Sequence, residues 1–299
     1  MSPSKLILGP TKSGKTSLLA CLDLAVSARD PNAEPKLDVR PWNQDTTDLF
    51  HLARNTMRSG RIPIAGTAEL RRYEFLLTLR RKKDFVLFKG REEETDYTFT
   101  MPDAPGGALF SAQPADDLDM QMLTRFRSEQ IDLLKVADGL IICLDPTDRD
   151  VALSFFIDLP KFLAETGQRR LPVSRVVVVL TKADKIVSRH GRNAFRELAR
   201  LSAREFGQKI LTQHGMNALR TFLPRETRIG FCWTSIYGFL DTGETNYDVT
   251  GDCLLYHPES APGKAISAAE AISRWRPFQI FDPFLFAGTG VPMPSIEFA

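Results

Sequence analysis

Leu6-Ile7-Leu8-Gly9-Pro10-Thr11-Lys12-Ser13-Gly14-Lys15-Thr16 is the stretch that decides the fold. Three apolar residues make a short strand, a glycine-bounded turn follows, and a helix begins near Lys15 with Leu18, Leu19, Leu22 and Leu24 as its buried candidates. The turn matches G-x-x-x-x-G-K-[ST] in full, and it lies between a strand and a helix as its mechanism requires. Backbone N–H groups at a helix N-terminus form a concave positive surface, which the helix dipole reinforces, and polyphosphate fits there. Gly14 lets a phosphate approach the backbone closely, Lys15 neutralises β- and γ-phosphate charge, and the Thr16 hydroxyl suits a magnesium ion. Thr11, Ser13 and Ser17 belong to the same candidate phosphate site. Lys12 has two readings, a side chain near phosphate or a solvated one.

Working outward from this turn, short apolar runs alternate with segments of helical period, the pattern of an α/β sheet with helices on its faces. Residues 28–41 are polar and contain prolines, which predicts a loop. Asp45 and Thr46 predict the cap of a helix carrying Leu49, Phe50, Leu52, Ala53 and Met57 that stops at Gly60. Three strand-like runs follow, Tyr73–Leu79, Asp84–Phe88 and Tyr97–Met101, and Arg80-Arg81-Lys82-Lys83 reads as a solvated turn between the first two. Glu92-Glu93-Glu94 reads as another solvated turn. Helices are expected over 119–136 and 151–166, the strands Leu140–Leu144 and Val176–Leu180 are β-branched or apolar throughout, and a helical region over 193–219 leads to a last strand, Ile229–Trp233. Beyond Gly238, residues 241–264 look like an insertion or hairpin and 265–275 like a helix.

The 299 residues are 43% apolar and 25% charged, with a formal net charge of +2. That composition is ordinary for a globular chain and gives no electrostatic bias toward nucleic acid or an anionic membrane. The four cysteines, Cys21, Cys143, Cys232 and Cys253, show no metal-ligand spacing and read as reduced, mostly buried thiols. Without a signal peptide or a ~20-residue apolar span, a cytoplasmic location is the expectation.

Thr181-Lys182-Ala183-Asp184 stands at the end of the valine strand and is a variant of N/T-K-x-D. Ligands of open α/β sheets bind beyond the carboxyl ends of the strands, and this tetrapeptide is at such an end. A carboxylate there accepts hydrogen bonds from N1–H and the exocyclic N2 amine of guanine, donors that adenine lacks. Asp184 is thus the candidate selectivity residue, Lys182 would lay its stem along the base, and Thr181 would support the phosphate turn. Ser235 and Ile236, at the end of the last strand, are candidates for backbone contacts to the base. Asp103-Ala104-Pro105-Gly106 fits D-x-x-G: Asp103 suits a water-mediated magnesium contact, and the Gly106 N–H suits a contact to the γ-phosphate. Thr67 is the favoured magnesium ligand ahead of it, with Thr46 and Thr47 as rivals.

These motifs, in this order, resemble the P-loop GTPase superfamily, most nearly its Ras-like and translation-factor-like branch. The resemblance spans residues 5–238, and no motif identifies a subfamily. It implies a three-layer fold with a mostly parallel six-stranded sheet, GTP or GDP with magnesium as ligands, and Lys15, Thr67 and Gly106 as the catalytic set. It also implies switch regions around Thr67 and Asp103 and a protein effector or activating partner. Many members of the family place glutamine directly after D-x-x-G, whereas Gly107 and Ala108 follow here, so slow intrinsic hydrolysis is expected. The alternatives are a GTP- or GDP-binding module with little turnover, and an ATPase that happens to carry Thr181–Asp184. A single domain over 1–299 is expected, with an extended first-switch region and a C-terminal insertion in 239–299. The aromatic stretch from Trp275 to Phe286 is expected to pack on the core, with contact to a membrane or a partner as the alternative.

Overall fold

The computed structural model describes residues 4–30, 32–33, 35–57, 69–85, 88–104, 120–248, 253–254 and 275–299. β1 (Lys5–Leu8) enters the glycine turn and α1 (Lys15–Ala28) leaves it, followed by β2 (Lys36–Pro41), α2 (Gln44–Met57), β3 (Arg71–Phe85) and β4 (Phe88–Asp103). Next come α3 (Met120–Val136), β5 (Gly139–Leu144), α4 (Arg149–Ala164), β6 (Arg175–Leu180), the short α5 (Ala183–Val187), α6 (Ala194–Leu198), α7 (Ala203–Phe222) and β7 (Arg228–Trp233). A small antiparallel pair, β8 (Tyr247–Asp248) with β9 (Cys253–Leu254), precedes α8 (Asp282–Thr289) and β10 (Glu297–Phe298).

The architecture is α/β around one mixed main sheet in the order β10-β7-β6-β5-β1-β4-β3-β2. The expected six strands become eight among the described residues. β4, β1, β5, β6 and β7 run parallel, while β3 and β10 are antiparallel to their neighbours. Side chains alternate between the two faces along each strand. Leu6, Leu8, Leu140, Ile142, Val176 and Val178 pack with α3, α4 and α7 on one side, and Ile7, Ile141, Val177 and Val179 with α1, α2 and α8 on the other. This two-sided burial is why β1, β5 and β6 read as near-continuous apolar runs.

Several local expectations are corrected. Residues 36–41 form an edge strand rather than loop, since Leu37 to Pro41 pair with Leu79 to Phe75. Asn43, not Asp45 or Thr46, caps α2: its side-chain carbonyl accepts from the Thr46 N–H at 3.0 Å. Arg80 and Arg81 are not a turn but strand residues opposite Glu94 and Glu93, so the three expected runs are one long hairpin of β3 and β4. Opposite charges facing each other across a ladder stabilise the pairing, and the Arg80 Nε to Glu94 Oε2 distance is 2.9 Å. The helical region over 193–219 divides at Ser202, whose hydroxyl accepts from Glu205 N–H at 3.1 Å to start α7.

The C-terminal aromatic segment packs on the core: Trp275, Ile280, Phe284 and Phe286 are buried, and the Phe284 ring meets Phe75 and Phe99 edge-on. Cys21, Cys143 and Cys232 are buried thiols. No helix of the described residues is long and apolar enough to cross a membrane. The expected stop of α2 at Gly60 lies outside the described residues, as does the helix expected over 265–275 except for its last residue, Trp275, which is not helical.

Candidate functional site

Every described residue of the candidate site lies at the carboxyl end of one of the five parallel strands. β1 leads to the glycine turn, β4 ends on Asp103, β5 leads to Asp145, β6 to Thr181 and β7 to Thr234. The parallel arrangement, not the local sequence, brings them to one edge.

The turn is held open by its backbone. A side chain on Gly9 would place Cβ 2.4 Å from the Cys143 carbonyl oxygen, so only glycine lets β1 and β5 close at this point. Gly14 adopts φ +82° and precedes α1, whose N-terminus has no side-chain cap and no acidic residue in its first turn. The amide dipoles there are free to meet an anion. Lys15 is buried at 7% exposure, and its ammonium donates to Pro10 O at 3.1 Å and pairs with Asp103 Oδ1 at 3.4 Å. Thr16 Oγ1 donates to the second Asp103 oxygen at 2.6 Å. Lys15 and Thr16 thus form one buried charged cluster with Asp103, 87 positions beyond Thr16. Thr11 and Ser13 each keep a buried hydroxyl oxygen without a hydrogen-bond partner among the described residues, and Ser17 sits half-buried in the first turn of α1.

The second loop is bound to the first. The Thr181 hydroxyl lies 2.7 Å from Ser13 O and 2.9 Å from Leu144 O, and Thr181 also packs against Gly14. Lys182 donates from Nζ to Lys12 O at 2.8 Å and forms an ion pair with Asp145. Lys12 and Lys182 both have left-handed backbone, with φ of 62° and 55°. Such strained residues persist where the surroundings over-determine them, and they concentrate at binding sites. Asp145 escaped the sequence reading. Its other oxygen accepts from the N–H and hydroxyl of Thr147 at 2.9 and 2.6 Å, so the carboxylate is built into the loop after β5 and holds Lys182. The available signal was a carboxylate directly after an apolar strand, at the end where ligands bind.

Asp184 is 1% exposed. Ser235 Oγ donates to its Oδ1, while its Oδ2 is buried without a partner among the described residues. Burial pushes the carboxyl above its ordinary value, and the bond from Ser235 acts in the opposite direction. A buried acceptor with no donor is costly, so a carboxylate arranged this way suits a ligand that brings N–H groups. Ser235 Oγ also accepts from Gly238 N–H at 2.8 Å, and Ile236, half-buried, offers its carbonyl to Trp275 Nε1 at 2.6 Å.

Among the rival threonines, Thr46 is fully buried and committed to the scaffold: its hydroxyl donates to Asn43 Oδ1 at 2.7 Å and accepts from Glu74 N–H at 2.8 Å. The Thr47 hydroxyl donates to Asn43 O at 3.0 Å. Thr67 and Gly106 lie outside the described residues.

No protein-family model matches this chain, and no curated protein matches it. Among solved structures it is similar to the signal recognition particle receptor SRb-GTP/SRX complex from Chaetomium thermophilum, at 15% identity and a TM-score of 0.33, over 79% of this chain and 91% of that one. It is also similar to a chain of the SsGBP and GDP complex, at 19% identity and a TM-score of 0.27, over 68% of this chain and 40% of that one.

Proposed function

We propose that this chain binds GTP and GDP and hydrolyses GTP slowly, changing state with the nucleotide it holds, as one unit built on residues 5–238. The observation that carries this reading is the buried Asp184 carboxylate, with one oxygen tied to Ser235 and the other unpartnered, on a loop bonded directly to the phosphate turn through Thr181 and Lys182. Guanine presents two N–H donors to a carboxylate and adenine presents none in that arrangement, so the reading favours GTP over ATP.

Lys15, the amides from Thr11 to Ser17 and the N-terminus of α1 would bind the phosphates, and their fixed positive charge favours the charge that develops during in-line attack by water. Lys12 Nζ has no described partner, and its side chain is exposed beside the turn, which leaves it able to reach phosphate. Thr16 and Asp103 fit a magnesium ion: both are buried oxygen ligands 2.6 Å apart beside the lysine that would meet the β- and γ-phosphates. When bound, the ion supplies further neutralisation of phosphate charge. Asp145 holds Lys182, and Lys182 holds the Lys12 carbonyl, so the base loop and phosphate turn stay in fixed relation. Thr67 remains the proposed ligand from the first switch, and Gly106 the proposed γ-phosphate contact.

Calorimetry with magnesium tests the reading. Uptake of GDP and GTP with adenine nucleotides at least a hundredfold weaker is expected; equal uptake of ADP would return the chain to the ATPases. A second reading, a nucleotide-binding module with little turnover, is favoured by one feature, Gly107 in the place where the water-orienting glutamine of many such proteins stands. Single-turnover hydrolysis separates the two. Slow but measurable turnover that a protein partner accelerates supports the enzyme, and no turnover under any condition supports the module.

A further inference from the structure

The loop after β7 carries Ser235, the residue that orients Asp184, and its local bonds, Gly238 N–H to Ser235 Oγ at 2.8 Å and Asn246 N–H to Gly238 O at 2.9 Å, leave much of its backbone to a more distant partner. Ser235 and Ile236 are hydrogen-bonded, and Gly238 is closely approached, by a segment 37 or more residues further on. The Ser235 N–H donates to Phe278 O at 3.1 Å, and the Phe278 N–H donates back to Ser235 O at 2.8 Å, a one-step antiparallel bridge. The buried Trp275 donates from its indole nitrogen to Ile236 O at 2.6 Å. Gly238, at φ +73°, lies so close to the following brace that an added Cβ would fall 1.7 Å from Arg276 O. The brace is itself anchored: Gln279 turns through a left-handed φ of 52°, and α8 then packs on β5 and β6. With both backbone groups of Ser235 engaged by Phe278, the serine hydroxyl is left pointing at Asp184.

The geometry points to residues 275–278 as a positioning element of the base site: by clamping the backbone of Ser235, Ile236 and Gly238, this segment sets the Ser235–Asp184 contact and governs how fast a guanine nucleotide leaves. This inference rests on the guanine reading of Asp184 for its ligand, but not for its mechanics. None of the brace residues belongs to the phosphate turn, so loosening the brace weakens the grip on the base and leaves the grip on phosphate alone.

Trp275→Phe keeps an aromatic ring in the core but removes the indole N–H together with part of the buried ring, and Gly238→Ala forces the loop and brace apart from the other side. Each variant is compared with the full-length parent for GDP dissociation rate, for affinity toward inorganic tripolyphosphate, and for hydrogen exchange at the Ser235, Gly238 and Phe278 amides. For Trp275→Phe, loss of the bond to Ile236 O and of part of the ring packed beside it is expected to speed GDP release about three- to tenfold. Tripolyphosphate affinity is expected to be unchanged, and exchange faster at the three amides but not in β6. Unchanged exchange in both variants overturns the inference, and so does a parallel loss of GDP and tripolyphosphate binding. A parent protein that takes tripolyphosphate but not GDP sinks the guanine reading instead, while the exchange measurements still decide whether the segment holds the loop.

Discussion

The Lys182 ammonium, at the end of β6, donates to the carbonyl of Lys12 in the turn after β1 across 170 positions of sequence, at 2.8 Å. Both residues stand in the left-handed region, which costs a non-glycine residue about 1–2 kcal/mol. The bond between them and the ion pair of Lys182 with Asp145 offset that cost and lock two loops into one site.

Asp145→Ala removes one of the two anchors of Lys182. Its ammonium, 26% exposed on the side chain, then has the Lys12 carbonyl alone to hold it. Guanine nucleotide affinity is expected to fall about tenfold, the scale of one charge-assisted hydrogen bond. Calorimetry with GDP reads this directly, and an unaltered affinity would remove Asp145 from the site.

Asp184→Asn exchanges an acceptor for a donor at the base. Preference is expected to shift toward xanthosine nucleotides, with GTP binding weakened about a hundredfold or more, as for a buried polar group left mispaired. Retained GTP affinity in this variant would exclude Asp184 from base recognition.

The same carboxylate makes the site sensitive to acid. Burial raises the folded-state value above the ordinary 3.8, so between those two values the folded protein holds a proton that the unfolded chain has lost. The stability contributed by this group therefore falls as pH rises through that window, and its cost is fully present above it. Nucleotide binding needs the carboxylate and runs the other way, weakening as pH drops through the same window. Melting curves and GDP titrations are expected to show both slopes in the parent, with the stability slope shallower but not abolished in Asp184→Asn, because burial also raises Asp23 and Asp282.

Lys15→Ala deprives the Asp103 carboxylate, 3% exposed and bonded to the Thr16 hydroxyl, of the Lys15 ammonium. Truncating one partner of a buried ion pair costs about 3 kcal/mol. The nucleotide-free variant is expected to unfold at lower denaturant than the parent and to bind no polyphosphate, whereas Lys12→Ala, on the exposed side of the turn, leaves the denaturant midpoint unmoved.

Gly9→Ala drives a methyl group to 2.4 Å from the Cys143 carbonyl, which belongs to β5 and has no freedom to yield. A loss of about 2–3 kcal/mol is expected from such overpacking. Gly167→Ala serves as the comparison, since no atom lies within 4 Å of the added Cβ and only its left-handed φ of 69° opposes the change.

The phosphate turn and the strands beside it were legible because their cause is local. The glycine spacing states the turn, and the unbroken apolar runs of β5 and β6 state burial on both faces. Asp184 was legible for a related reason: its motif sits at a strand end, and strand ends are where α/β sheets bind ligands. What Asp184 contacts was not legible, since Ser235 is 51 positions away.

By itself, then, the sequence determined the strand–turn–helix at Gly9–Thr16, the α/β alternation and the candidate residues at the ends of β1, β4 and β6. Only the tertiary structure decided that residues 36–41 are an edge strand, that Arg80 and Arg81 face Glu94 and Glu93 rather than solvent in a turn, that Asp145 holds Lys182, and that residues 275–278 close on the loop of Ser235. The physical reason is range. Periodicity and turn chemistry act over a few residues, whereas charge neutralisation across a ladder, an ion pair between two loops and a single-step β-bridge depend on partners the chain supplies only after it has folded.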